Sequence, residues 1–110
     1  MPVAAREKLK AVTKDLGSQA RVARLLGVSP SRVSRWLRTE EPDTENRRKL
    51  EGVEFVLTRL LDLYQREAAI DWLMGLNGFL GYRRPIDLLA SGRIAEVLGA
   101  IQADEAGSYS

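Results

Sequence analysis

Apolar residues recur along this chain at spacings of three and four, and almost every segment reads as helix. Leu9, Val12 and Leu16 define a first helix over residues 4–16, with Gly17 placed to end it. Ser18 is a good N-cap for a second helix through Leu26, whose inner face carries Val22, Leu25 and Leu26. Gly27 and Val28 form a turn. Ser29 then caps a third helix, and Pro30 takes its first position, where a missing N–H costs nothing. This helix is expected to reach about Arg38.

A polar connector holding Glu40, Glu41, Pro42 and Asp43 reads as a boundary and a solvated linker, with no calcium-loop spacing. The next helix is expected from about Glu45 to Arg66, with Leu50, Val53, Leu57, Leu60, Leu61 and Tyr64 on one stripe. Phe55, Val56 and Leu63 lie off that stripe, so a second buried surface is expected. Either a subunit interface or later segments of the same chain would cover it. Ile70, Trp72 and Leu73 suggest a short helix, with Trp72 read as core. Gly75, Asn77, Gly78 and Gly81 mark turns, Asn77 serving as a turn residue that bonds nearby backbone. Pro85 opens a helix containing Ile86, Leu88 and Leu89, closed by Gly92. A last helix, about Arg93 to Ala103, carries Ile94, Val97, Leu98 and Ile101. A small polar tail follows from Asp104 to Ser110, with Tyr109 as its one aromatic. No strand pattern or internal repeat is visible, so the expected class is all-α.

The segment from Gln19 to Trp36 reads as two helices crossing at a tight turn. Ala23 sits where the second helix crosses the first, so only a small side chain fits. Gly27 supplies a backbone conformation that other residues adopt at a cost. Val22, Leu26, Val28, Val33 and Trp36 would form the shared core of the pair. At ~100° per residue, Val33, Trp36 and Leu37 cluster on one side of the second helix. Ser31, Arg35 and Arg38 lie opposite, flanked by Arg32 and Ser34. Arginine donates two parallel hydrogen bonds to guanine O6 and N7, and serine donates to bases or phosphates, so this face suits a major groove. Arg35 is the leading candidate for base contact, followed by Arg32 and Arg38. Ser18, Gln19 and Arg21 are suited to hold phosphates at the amino end of the first motif helix, and Ser29 caps the second. Lys8, Lys10 and Lys14 would add non-specific attraction. Residues 5–38 resemble the helix-turn-helix of the phage-repressor (Xre/Cro-like) family. Such modules usually pair, with reading helices one duplex turn apart, ~34 Å.

Charge sharpens this division. The net charge of +2 conceals a first half, residues 1–50, with 12 Lys/Arg against 6 Asp/Glu, and a second half with 5 against 9. A basic half joined to an acidic half suggests two surfaces with different partners, the first polyanionic. The chain has no Cys and no His, which excludes disulfides, thiol chemistry, imidazole-bound metal and a His-based triad. No nucleophile–base pair is visible, so neither enzyme activity nor a cofactor or metal is expected. No apolar run approaches the ~20 residues of a membrane helix. The basic start (Arg6, Lys8, Lys10) is not followed by an apolar stretch, so no secretory signal is expected, and the cytoplasm is the expected compartment.

The second half holds a distinctive series: Trp72-Leu73, Asn77, Leu80-Gly81, Arg83-Arg84-Pro85-Ile86-Asp87-Leu88-Leu89, Gly92, Val97, Leu98 and Ile101. It is similar to the C-terminal domain of the Xre/MbcA/ParS-type antitoxins, the partners of RES-domain toxins. The close at Gly107-Ser108-Tyr109 is similar to the Gly–any–aromatic ending of that family, and the tail here is more acidic and polar. With the helix-turn-helix, the resemblance spans nearly the whole chain. It implies a helix-turn-helix domain over 1–42, a helical toxin-binding and dimerisation domain over 43–103, and a tail over 104–110 that enters the toxin's NAD pocket. The RES-domain toxin consumes NAD+ or uses it to modify a target, and the antitoxin also represses its own promoter as a homodimer or a toxin–antitoxin hetero-oligomer. On this resemblance Gly107, Ser108, Tyr109 and Ser110 form the blocking segment, supported by Arg83, Arg84 and Asp87. The residues alone allow other readings. The tail could be a disordered terminus, Asp87 is explained by the helix dipole after Pro85, and Arg83 and Arg84 could pair at home or on a toxin. A free-standing repressor without a toxin would share the same first half.

Overall fold

The computed structural model describes residues 5–107, which form seven α-helices and one 3-10 turn joined by short loops. They are α1 (Ala5–Leu16), α2 (Gln19–Leu26), α3 (Pro30–Arg38), α4 (Thr44–Leu63), α5 (Arg66–Met74), the 3-10 turn Gly78–Leu80, α6 (Pro85–Ala90) and α7 (Ile94–Gly107). The all-α expectation holds. Among the described residues no helix is long and apolar enough to cross a membrane.

Caps set the starts of α2 and α3 and the end of α2. Ser18 Oγ accepts from Arg21 N at 3.1 Å, and Ser29 Oγ accepts from Arg32 N at 3.3 Å, so each hydroxyl satisfies a backbone donor of a helix's first turn. Between them α2 ends in a left-handed glycine, Gly27, at φ 70°, with Val28 N donating to Ala23 O at 2.9 Å. Space as well as conformation restricts this position. A Cβ on Gly27 would lie 2.9 Å from Ala90 O and 3.3 Å from Ala90 Cβ, because the elbow rests against the end of α6.

One core runs through the chain. It joins Leu9 and Leu16 of α1, Leu25 and Leu26 of α2, Val33 and Trp36 of α3, Leu50 and Leu60 of α4, and Leu89 and Ile101 of α6 and α7. Burying such a side chain fully is worth roughly 1.5–3 kcal/mol each. α2 packs against both α3 and α6, and α4 packs against α1 and α7. The α4–α7 crossing depends on Gly52, where a Cβ would meet Ile94 Cγ1 at 2.8 Å.

Two expectations about helix extent are corrected, and one about packing is met in part. The long helix stops at Leu63 rather than Arg66, since Tyr64 turns extended (φ −133°, ψ 152°) and α5 starts afresh at Arg66. Of the off-stripe residues, Val56 is fully buried in the chain's own core, whereas Phe55 stays 56% exposed and Leu63 is also exposed. The last helix runs on to Gly107, so Asp104 to Gly107 are helical rather than a loose tail.

Candidate functional site

The predicted helix-turn-helix geometry is present, and its second helix, α3, is oriented as its pattern requires. Val33 and Trp36 of α3 are buried against the core, and Ala23 of α2 is buried as well. Ser31, Arg35 and Arg38 are exposed on the opposite side, with Arg32 and Ser34 half-buried on the flanks. The Arg32 guanidinium lies over the Trp36 ring, 5.0 Å from its centroid, which limits where that side chain can swing. Ser31 Oγ and Ser29 Oγ are hydrogen-bonded at 3.2 Å. At the amino end of α2, Gln19 and Arg21 are exposed, but Arg21 Nη1 already donates to Leu16 O at 2.9 Å. Arg21 thus ties α1 to α2, and Ser18 is occupied as a cap.

The connector after α3 is not merely solvated. Glu40 Oε2 sits 3.3 Å from Arg35 Nε, Asp43 Oδ1 3.7 Å from Arg32 Nη2, and Glu41 Oε1 3.9 Å from Arg6 Nη2. Arg6 Nε also donates to Trp36 O at 3.0 Å, so α1 reaches the far end of α3. Asn46, buried at the start of α4, donates to Asp43 Oδ1 at 2.5 Å. That hydrogen bond, helped by the charges of Arg32 and Lys49, holds the Asp43 carboxyl below the ordinary carboxylate value.

A second face is built around the 3-10 turn. Asn77 Oδ1 accepts from Phe79 N at 3.0 Å and Leu80 N at 3.3 Å, which is the turn role expected of it. Asn77 also pairs by backbone with Arg83, and Tyr82 is held at φ 62°, a left-handed conformation costly for a non-glycine residue. This scaffold holds Leu76 (63%), Phe79 (63%) and Tyr82 (75%) out in solvent. Sequence reasoning missed all three, although three large apolar residues among turn glycines are a readable sign of an outward-facing surface. Arg83, Arg84 and Asp87 line one groove with Leu76 and Tyr82. Each of these charged groups already has a partner within the chain. Arg83 Nε donates to Leu80 O at 2.7 Å and its Nη2 lies 3.3 Å from Glu96; Arg84 Nη1 donates to Met74 O at 2.7 Å; Asp87 pairs with Arg24 of α2 at 3.5 Å.

The end of α7 is anchored by residues far away in sequence. Half-buried Trp72 donates from Nε1 to Asp104 Oδ2 at 2.5 Å, and Arg59 Nη2 lies 2.8 Å from Glu105 Oε2. Burial, followed by the neighbouring Asp104 carboxylate, pushes the Tyr64 phenol above its ordinary value of 10.0. Gly107 is the last residue of α7, and Ser108, Tyr109 and Ser110 lie outside the described residues.

Taken together, these features define an all-α protein in which a helix-turn-helix shares its core with a helical C-terminal half. No family model matches the chain. The mycobacterial cidal antitoxin MbcA of Mycobacterium bovis, and the protein of the same name from Mycobacterium tuberculosis, are each 29% identical to it over 89 residues. The match covers 80% of this chain and 79% of each relative. Among solved structures, the crystal structure of the M. tuberculosis MbcT–MbcA toxin–antitoxin complex matches with a TM-score of 0.77 at 27% identity, covering 93% of this chain and 94% of the matched chain. The chain is a homologue of the MbcA antitoxins, as the resemblance in its second half implied.

Proposed function

We propose that this chain is the antitoxin of a toxin–antitoxin pair, working through two faces. The observation that carries the reading is the MbcA homology, because the structural match spans 93% of the chain and so includes both the helix-turn-helix and the C-terminal half. The toxin is proposed to be a RES-domain protein that acts on NAD+, bound by residues 43–103 on the face bearing Arg83, Arg84 and Asp87. The exposed Leu76 and Tyr82 in the same groove supply apolar contact area there. Gly107 and the three residues after it enter the toxin's active site. Asp104, bonded to Trp72, and Glu105, paired with Arg59, support this role by fixing the direction in which α7 delivers them. The first 42 residues bind the promoter of the operon, with Arg35 reading a base and Arg32 and Arg38 beside it. Ser29, Ser31 and Ser34 flank them, and Ser18, Gln19 and Arg21 lie at the phosphates. The protein is proposed to act in the cytoplasm, as a homodimer or within a toxin–antitoxin assembly, without enzymatic activity of its own.

Deletion of residues 108–110 separates the two faces while sparing the anchors at Asp104 and Glu105. Co-expressed with the toxin encoded beside it, the truncated protein is expected to lose protection of growing cells while retaining binding to the upstream DNA. Full protection by the truncated protein would refute the entering tail. Upstream-DNA binding with no toxin encoded nearby would leave a free-standing repressor.

A further inference from the structure

Two arginines of α3 and Arg6 of α1 find their carboxylates in one place, the five residues between α3 and α4. Arg35 meets Glu40 at 3.3 Å, Arg32 meets Asp43 at 3.7 Å and Arg6 meets Glu41 at 3.9 Å. Proximity in sequence explains only the Glu40 pair; Arg6 belongs to α1 and is brought in by its bond to Trp36 O. Among the described residues, Arg38 is the one arginine of α3 without an ion-pair partner. Four guanidinium charges on this side (Arg6, Arg32, Arg35, Arg38) therefore face three carboxylates, a local balance of +1. The first half as a whole carries +6, the excess of its 12 basic over its 6 acidic residues, and at this end of α3 three of the four guanidinium charges are already met by carboxylates.

A carboxylate held by a guanidinium makes the same charge-assisted contact as a phosphate oxygen does. We propose that Glu40, Glu41 and Asp43 form an autoinhibitory strap, an internal competitor for duplex phosphates that must release Arg6, Arg32 and Arg35 before the reading helix engages DNA. The pairs are solvent-exposed, with the carboxylate side chains 54–61% accessible, so they are weakly held and open without disturbing the core. Release is also made local by the anchors at either end: Thr39 N and Glu40 N both donate to Arg35 O, and Asn46 is buried in α4. The strap lowers attraction to any duplex, cognate or not, and it does so most at low ionic strength, where exposed charges act over longer distances. This inference rests on the DNA-binding reading above and adds a built-in brake to it.

The test compares the wild type with the triple variant Glu40→Gln/Glu41→Gln/Asp43→Asn by fluorescence anisotropy. The probes are a labelled duplex of random sequence and one of the chain's own upstream region, each titrated across a salt series. The triple variant is expected to bind both duplexes about tenfold more tightly at ~0.05 M salt, with the gain shrinking to within about twofold by ~0.5 M. Glu40→Gln alone, which leaves the Asp43–Asn46 bond at the start of α4, is expected to give a gain of about two- to threefold in the same direction. Asp62→Asn makes the same one-charge change near the far end of α4 and is expected to leave binding unchanged within about twofold. Wild-type binding to upstream DNA with no gain in either strap variant overturns the strap alone. Failure of every variant to bind any duplex overturns the DNA-binding reading and the strap with it.

Discussion

Replacing Gly27 by alanine tests whether the elbow of the helix-turn-helix is shaped by its own conformation or by what it rests on. Gly27 has φ 70°, and a left-handed conformation costs an L-residue roughly 1–2 kcal/mol. A new Cβ would also stand 2.9 Å from Ala90 O and 3.3 Å from Ala90 Cβ, the first of which is backbone and cannot rotate away. Moving α2 off α6 by a few tenths of an ångström forfeits packing along the whole contact, roughly another 1–2 kcal/mol. The total is about 2–4 kcal/mol, or a Tm lower by roughly 8–20 °C for a chain of this size. Gly92 provides the matched control, with φ 78° and open space where a Cβ would stand. Gly92→Ala thus carries the conformational cost alone, together with the same change in unfolded-chain entropy. Thermal unfolding followed by circular dichroism should show Gly27→Ala to be the costlier by roughly 1–2 kcal/mol. Equal losses for the two variants would refute the close approach of α2 to α6.

Arg35→Ala is expected to weaken binding to the upstream DNA by about 1–3 kcal/mol and to relax preference at one base position. Equal losses on upstream and random duplexes would make Arg35 a phosphate contact instead. Raised pH probes the other end of the molecule. Because burial and Asp104 lift the folded-state pKa of Tyr64 above 10.0, the unfolded chain loses this proton first. Its contribution is fully present below pH 10.0 and falls away as pH rises through the folded-state value. Unfolding midpoints measured across that range should fall less steeply in Tyr64→Phe than in the wild type, and identical slopes would refute the assignment.

Local chemistry made the first forty residues readable. Ser18, Ser29 and Pro30 act within one helical turn of themselves, and Gly27 declares its own conformation, so the caps and the elbow were legible without any partner. The angular sorting of α3 into a buried Val33–Trp36 side and an arginine side followed from helical period alone. What escaped was decided at long range. Gly52 reads as a weak point in a long helix until Ile94, 42 positions later, fills the space beside it. Asp104 and Glu105 read as tail because nothing near them predicts Trp72 and Arg59 as their partners. The helix break at Tyr64 has neither proline nor glycine to announce it. Glu40, Glu41 and Asp43 look like ordinary linker charges, since only the folded chain shows that Arg6 and α3 converge on them. For the C-terminal face, the resemblance named Arg83, Arg84 and Asp87, yet their contacts within the chain were visible only in three dimensions.

The sharing of α2 between α3 and α6 also limits what can be done with either half. Residues 1–42 transplanted onto an unrelated protein would leave the α6-facing flank of α2 wet and Arg24 without Asp87. Neither half is a cassette. Any lineage that exchanged one for a foreign counterpart would have to rebuild the seam between Gly27 and Ala90 before the hybrid could fold.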